Sequence, residues 1–77
     1  MLIGTYVAQY IYESMCGFVK GHTYNIDIDK NRYGYTITGI NDVDNGTYVD
    51  ACMNFSSEKS VRQHWIIKED TTVLEEL

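Results

Sequence analysis

The residues that could coordinate a hard metal ion are concentrated in one short turn of this 77-residue chain. Asp42 and Asp44 alternate there, and alternate carboxylates can converge on a cation such as Ca²⁺. An EF-hand loop starting at Asp42 would need glycine at its sixth place and glutamate at its twelfth, where this chain has Thr47 and Met53. We therefore interpret these aspartates as part of a solvated hairpin turn.

The remaining candidates for chemistry are two thiols and two imidazoles, at Cys16, His22, Cys52 and His64. Zinc modules bring their ligands in close pairs such as C-x₂₋₄-C, whereas every gap here is five residues or more. A cysteine nucleophile needs a histidine that a third group orients, and only Cys16 and His22 are near each other in sequence. We predict no metal, no cofactor and no enzymatic activity.

One segment, residues 23–29, shows the clearest structural pattern in the chain. Tyr24, Ile26 and Ile28 alternate with polar residues. Because side chains on a strand point to opposite faces in turn, this segment is predicted to be a strand with one buried and one wet face. Asp27 and Asp29 belong to the wet face.

Similar β-type patterns predict four more strands, at residues 2–13, 33–40, 47–53 and 63–68. The pair Asn45-Gly46 suits the two positive-φ positions of a type I′ hairpin turn between the third and fourth strands. Serines at 56 and 57 can cap amides, so a single helical or 3₁₀ turn is predicted at residues 56–61.

This order of elements resembles that of SH3-like β-barrels. The resemblance is carried by Phe18-Val19-Lys20-Gly21-His22-Thr23-Tyr24, similar to the family's diverging turn, and by residues 55–65, similar to the segment leading into the last strand. The resemblance extends over residues 2–68 and concerns the order of the strands, turns and helix, not the individual residues. It implies an all-β fold: a five-stranded antiparallel SH3-like barrel with one short helical turn before the last strand.

The same KG-x-x-Y phrase is also similar to small uncharacterised barrel proteins of Gram-positive bacteria and their phages, which implies a genomic setting but no activity. Eukaryotic SH3 domains that bind proline-rich peptides carry a tryptophan near the third strand and a proline near the helical turn. This chain has Tyr33 and Tyr35 near the first place and no proline. Recognition of proline-rich peptides is therefore not expected.

The resemblance implies a binding surface, because four of the seven tyrosines would surround the loops that flank the family's binding face. Exposed aromatic clusters mark protein interfaces or stacking platforms, although tyrosines also close the rims of small cores. Aspartates on the second strand and the hairpin could match a basic partner, and the alternative is an ordinary solvated acidic surface. The predicted partner-binding residues are Tyr10, Tyr12, Asp27, Asp29, Tyr33, Tyr35, Asp42 and Asp44.

Composition limits the partners that this chain can have. Eleven acidic and six basic residues give a net charge of -5, which disfavours direct binding to duplex nucleic acid. No apolar run approaches the ~20 residues that span a bilayer, and the first residues lack a basic signal-peptide region. We expect a cytoplasmic protein with one domain at residues 1–68, followed by an acidic tail at 69–77 that frays or forms a short helical turn.

Two functions of different classes follow as hypotheses. The first is a small acidic protein-binding module, for example a phage or mobile-element inhibitor of a host defence protein such as an anti-CRISPR, which acts by stoichiometric occlusion. The alternative is a nucleotide or small-ligand sponge with a pocket at an oligomer interface, built from Tyr10, Tyr35, Arg32 and Arg62. A third hypothesis is stacking of single-stranded nucleic acid on the tyrosines.

Overall fold

The fold is an antiparallel sheet with a single helix, in a computed structural model that describes residues 2–68. The predicted tail at 69–77 lies outside the described residues. The strands and the helix are β1 (Gly4–Tyr10), β2 (Thr23–Asn31), β3 (Gly34–Asp42), β4 (Thr47–Tyr48), β5 (Cys52–Phe55), α1 (Glu58–His64) and β6 (Trp65–Lys68). The predicted all-β class, with one short helix before the last strand, is confirmed.

The strands form one sheet in the order β4-β3-β2-β1-β6, and β5 also pairs with β3. All pairings are antiparallel. The predicted fourth strand at residues 47–53 is divided into β4 and β5, which pair with opposite halves of β3. Within residues 2–68 the sheet is not closed into a complete barrel, so β4, β5 and β6 each keep one unpaired edge.

The hairpin between β3 and β4 differs from the predicted type I′ turn. Gly46 has a φ of 68°, but Asn45 does not have a positive φ, and the Gly46 amide donates to the Asp42 carbonyl oxygen at 2.7 Å. The Asp42 carboxylate also accepts from the amides of Asp44 and Asn45, at 2.9 and 3.2 Å. These side-chain bonds stabilise a turn in which Asn45 lies outside the left-handed region. The prediction of a type I′ turn was therefore wrong.

The core lies on the inner face of the sheet, as the alternation of β2 predicts: Tyr24, Ile26 and Ile28 are all buried. Trp65 packs there against the rings of Tyr10 and Phe18, with centroids 4.9 and 5.0 Å away. Each fully buried side chain of this size stabilises the fold by roughly 1.5–3 kcal/mol. The sheet and the turn before β2 therefore share one aromatic core.

A bulge in β3 adapts the sheet to this core. Ile26 pairs with Gly39, whereas Asn25 pairs with Asn41, so Ile40 is the extra residue. A Cβ atom at Gly39 would lie 2.9 Å from the ring of Phe18, closer than real Cβ contacts. Glycine at this position lets Phe18 pack directly onto the backbone of the sheet.

The helix α1 begins after Ser57, whose hydroxyl accepts from the Ser60 amide at 3.2 Å. Val61 lies on the buried side of the helix, and on the exposed side Arg62 bonds Glu58 at 3.0 Å. The prediction of one helical turn therefore located the element and underestimated its length. No helix in the described part of the chain has the length and apolar character needed to cross a bilayer.

Candidate functional site

Two open depressions lie side by side at the end of β5. The first has a volume of about 390 Å³ and the second about 350 Å³. The first is lined by Asn31, Tyr33, Gly34, Tyr35, Asn54, Phe55 and Ser56, and the second by Met15, Cys16, Met53, Asn54, Phe55, Ser56, Ser60 and His64. Because they share three residues, 54–56, they form one continuous surface that we call the β5 groove.

Aromatic rings run along the second half of this groove. The His64 imidazole lies between two rings, with centroids 4.0 Å from Tyr12 and 4.8 Å from Phe55. Its Nδ1 is 2.9 Å from the Ser60 carbonyl oxygen, which can only accept, so Nδ1 carries the hydrogen and donates. The hydrogen bond within the helix thus fixes the ring between its neighbours, and in the neutral imidazole Nε2 is the acceptor.

Tyr33 lines the first half of the groove from the tight turn between β2 and β3. Its side chain is 80% exposed, and the Arg32 guanidinium lies 6.0 Å from its ring centre. The Tyr33 amide donates to Asn31 Oδ1 at 2.8 Å, which fixes the turn. Gly34 has a φ of 138°, and a Cβ atom there would overlap the Phe55 carbonyl oxygen, so only glycine brings the turn against the end of β5.

The loop between β1 and β2 forms the opposite wall, with Met15 and Cys16 lining the groove. Met15 and Phe18 exchange two main-chain hydrogen bonds, of 3.0 and 2.9 Å, and Cys16 between them has a φ of 55°. Tyr10 ties the loop to the core, because its hydroxyl donates to the Glu13 carbonyl at 2.7 Å. Burial raises the pKa of the Tyr10 hydroxyl above its ordinary value, which is itself well above neutral pH, so the hydroxyl is protonated and donates.

A separate cluster of His22, Asp42 and Asp44 lies at the other end of β3 and fastens β2 to the following hairpin. The His22 Nδ1–H donates to Asp42 Oδ2 at 2.8 Å, and the Thr23 amide donates to Asp44 Oδ2 at 2.9 Å. Burial would raise the pKa of the Asp42 carboxyl, but hydrogen bonds from His22 and from the Asn45 and Asp44 amides outweigh it and hold the pKa below its ordinary value.

This cluster also holds the ligand types that a metal ion could use. One ligand atom from each of His22, Asp42 and Asp44 lies within 4.8 Å of the others. Those atoms already bond to one another or to main-chain amides, so an ion would have to displace these bonds. Sequence reasoning grouped His22 with Cys16; in the structure Cys16 instead shares a depression with His64.

The predicted tyrosines divide between the core and the groove. Tyr33 is exposed, and Tyr12 is 47% exposed and packs against the His64 ring. Tyr10 and Tyr35 are buried, so they offer little surface to a partner. Their burial also leaves the predicted nucleotide pocket without its two aromatic members. Of that pocket's arginines, Arg62 bonds Glu58 on the helix.

The four predicted aspartates do not converge on the β5 groove. Asp27 and Asp29 lie on the outer face of β2, where Asp27 Oδ1 accepts from Thr5 at 3.5 Å. Asp42 is buried, whereas Asp44 is exposed beside it. Seven acidic and six basic residues lie in 2–68, and the other four acidic residues lie in 69–77. The described part of the chain is therefore almost neutral.

Sequence reasoning missed the residues that complete the groove, namely Met15, Asn54, Phe55 and His64. Phe55 lies opposite Tyr35 across the β3–β5 pairing, and His64 ends α1. Phe55 and His64 each end an element, whereas Met15 lies in the loop before β2 and Asn54 lies inside β5, so these four residues share no sequence pattern. Comparison of the chain with protein families, with curated proteins and with solved structures returned no match.

Proposed function

We propose that this chain is a protein-binding module that holds its partner in the β5 groove. The observation that carries the proposal is the exposure of Tyr33, at 80%, beside a groove that continues over Phe55 to His64, whose imidazole packs against the partly exposed Tyr12. Large aromatic side chains exposed together are the anchors that dominate protein interfaces.

The form of the groove favours a macromolecular partner over an enclosed small ligand. Both depressions open to solvent, and neither is walled off from water. Small-molecule sites bury most of their ligand in a concave cavity. An open aromatic surface instead gains free energy by excluding water over a wide area when a second protein covers it.

The aromatic surface, rather than charge, supports this function. Residues 2–68 are almost neutral in total. Attraction to a basic partner would therefore come from Asp27 and Asp29 on the outer face of the sheet and from the acidic residues of 69–77. Complementary charge mainly speeds association and selects partners, whereas buried aromatic contacts determine how long a complex lasts.

The mechanism that we infer is occlusion: one copy of the chain covers a working surface of one partner molecule. The resemblance of its KG-x-x-Y phrase to small proteins of Gram-positive bacteria and their phages suggests an inhibitor from a phage or mobile element, with defence proteins such as CRISPR effectors as targets.

Photo-cross-linking tests the proposal with a matched control inside the same chain. p-Benzoylphenylalanine replaces Tyr33 in one variant and Tyr48 in the other. Tyr48 is 93% exposed, and it pairs with Asn41 near the opposite end of β3. In a Gram-positive bacterial lysate, we expect the label at 33 to give a one-to-one adduct and the label at 48 to give none. Adducts that form equally from both positions would contradict the proposed surface.

A further inference from the structure

The strand β5 has an edge whose main-chain groups can be identified from its pairing. The Gly39 amide donates to the Ala51 carbonyl at 2.8 Å, so these two residues form a hydrogen-bonded pair. Such pairs alternate along an antiparallel ladder, and therefore Met53 and Phe55 direct their N–H and C=O groups toward β3. The N–H and C=O groups of Cys52 and Asn54 point away from β3.

This edge is open. Cys52 and Asn54 are both exposed, and across residues 2–68 no main-chain or side-chain group hydrogen-bonds to their N–H or C=O groups. The other sheet edges are less suitable: β4 has two residues, and on β6 the Trp65 amide already donates to the Val61 carbonyl. An open strand edge is a template for another strand.

We propose that the partner binds by adding an extended segment as a new strand along the free edge of β5. This inference rests on the proposed function and specifies its mode. Asn54 lines both halves of the β5 groove, so a segment paired with the edge would enter the groove. Cys52 and Asn54 together offer two donors and two acceptors, which can form four main-chain hydrogen bonds.

The side chains around the edge define the chemistry of the added strand. Residues opposite Met53 and Phe55 share the face of those two side chains, where Met15 and His64 line the groove. The residues of the added strand that point to this face are therefore apolar or aromatic. Residues on the other face lie beside Asn54, whose Oδ1 accepts from Thr36 at 2.8 Å, and they are polar. The partner segment therefore alternates apolar and polar residues over at least the four-residue length of β5, and proline is excluded where a main-chain donor is needed.

A proline substitution tests this mode, because Asn54→Pro removes an N–H that faces the partner and none that faces β3. Asn54→Ala is the matched control, since both variants lose the side-chain bond to Thr36. The probes are linear peptides selected on the full chain from a random phage-displayed library. We expect Asn54→Pro to bind selected peptides at least about tenfold more weakly than Asn54→Ala, from the lost bond and the ring's obstruction of the edge.

Hydrogen exchange gives a second readout that does not depend on a variant's folding. In the wild-type chain, bound peptide should slow exchange of the Cys52 and Asn54 amides, which face solvent in the free chain. Equal affinity of the two Asn54 variants, or unchanged exchange at both amides, would overturn strand addition. If Tyr33→Ala still weakened binding in that case, the β5 groove would stand as the interface without a paired strand. A selection that returns no peptide would also overturn strand addition, whereas the cross-linking result at Tyr33 decides the proposed function separately.

Discussion

Proline substitutions at two neighbouring residues of β5 should destabilise the fold to very different extents. The Met53 N–H points to the buried Ile37 carbonyl, so Met53→Pro removes a ladder bond and leaves that carbonyl without its donor. A lost hydrogen bond costs about 1 kcal/mol and a buried group left unpaired about 1–3 kcal/mol. The free energy of unfolding of Met53→Pro should therefore be about 2–4 kcal/mol lower than that of Met53→Ala. The free energies of unfolding of Asn54→Pro and Asn54→Ala should agree within about 0.5 kcal/mol, because the Asn54 N–H of the wild-type chain faces water.

Thermal unfolding followed by circular dichroism measures this difference. For a domain of this size, 1 kcal/mol corresponds to a shift of about 4–8 °C in Tm, so the two proline effects should differ by at least about 6 °C. The alanine variants separate the loss of each side chain from the effect on the main chain. If the proline effect were equal at both positions, or larger at Asn54, the assigned direction of the β5 edge would be refuted.

Two further predictions concern the elements that hold the sheet together. Asp42→Asn should lower the free energy of unfolding at neutral pH by about 1.5–3 kcal/mol, with exposed Asp29→Asn as the control. The pKa of Asp42 is lower in the folded chain than in the unfolded chain. The stabilisation from its carboxylate is therefore present above the ordinary pKa and is lost as pH falls through the folded-state pKa. Urea unfolding at neutral pH and at about pH 2.5 should show that the difference in free energy of unfolding between wild type and Asp42→Asn shrinks in acid. A deficit that persists in acid would contradict this. Gly39→Ala should lower Tm because its methyl group would press on Phe18, and an unchanged Tm would show that the ring can move aside.

The inner face of β2 was predictable because its signal is local. Tyr24, Ile26 and Ile28 repeat with the period of a pleated strand, and a half-buried strand must turn those side chains inward. The burial of Tyr10 depends on a partner far along the chain, since Tyr10 lies opposite Trp65 across the β1–β6 pairing. Local pattern holds no information about such a partner, so the sequence suggested an exposed anchor.

Tyr33 was predictable as an exposed residue of the groove because it lies in a turn and has no opposing strand. The place of Tyr12 depends on His64, a residue 52 positions away, and on a helix that positions the imidazole between two rings. Likewise, the last residue of β3, Asp42, bonds His22, which lies 20 positions earlier in the chain. Long-range pairings of this kind determine where strands end and which aromatic residues remain exposed.

The affinity of the cross-linked partner for two tyrosine variants tests the central claim most directly. Tyr33→Ala and Tyr48→Ala each remove a largely exposed ring, so neither costs core packing. Titration calorimetry with the purified partner should show Tyr33→Ala weakening binding at least about tenfold, as expected for an aromatic anchor, with Tyr48→Ala close to the wild type. Equal affinities for both variants, or a larger loss at Tyr48, would contradict the account of the β5 groove as the binding surface.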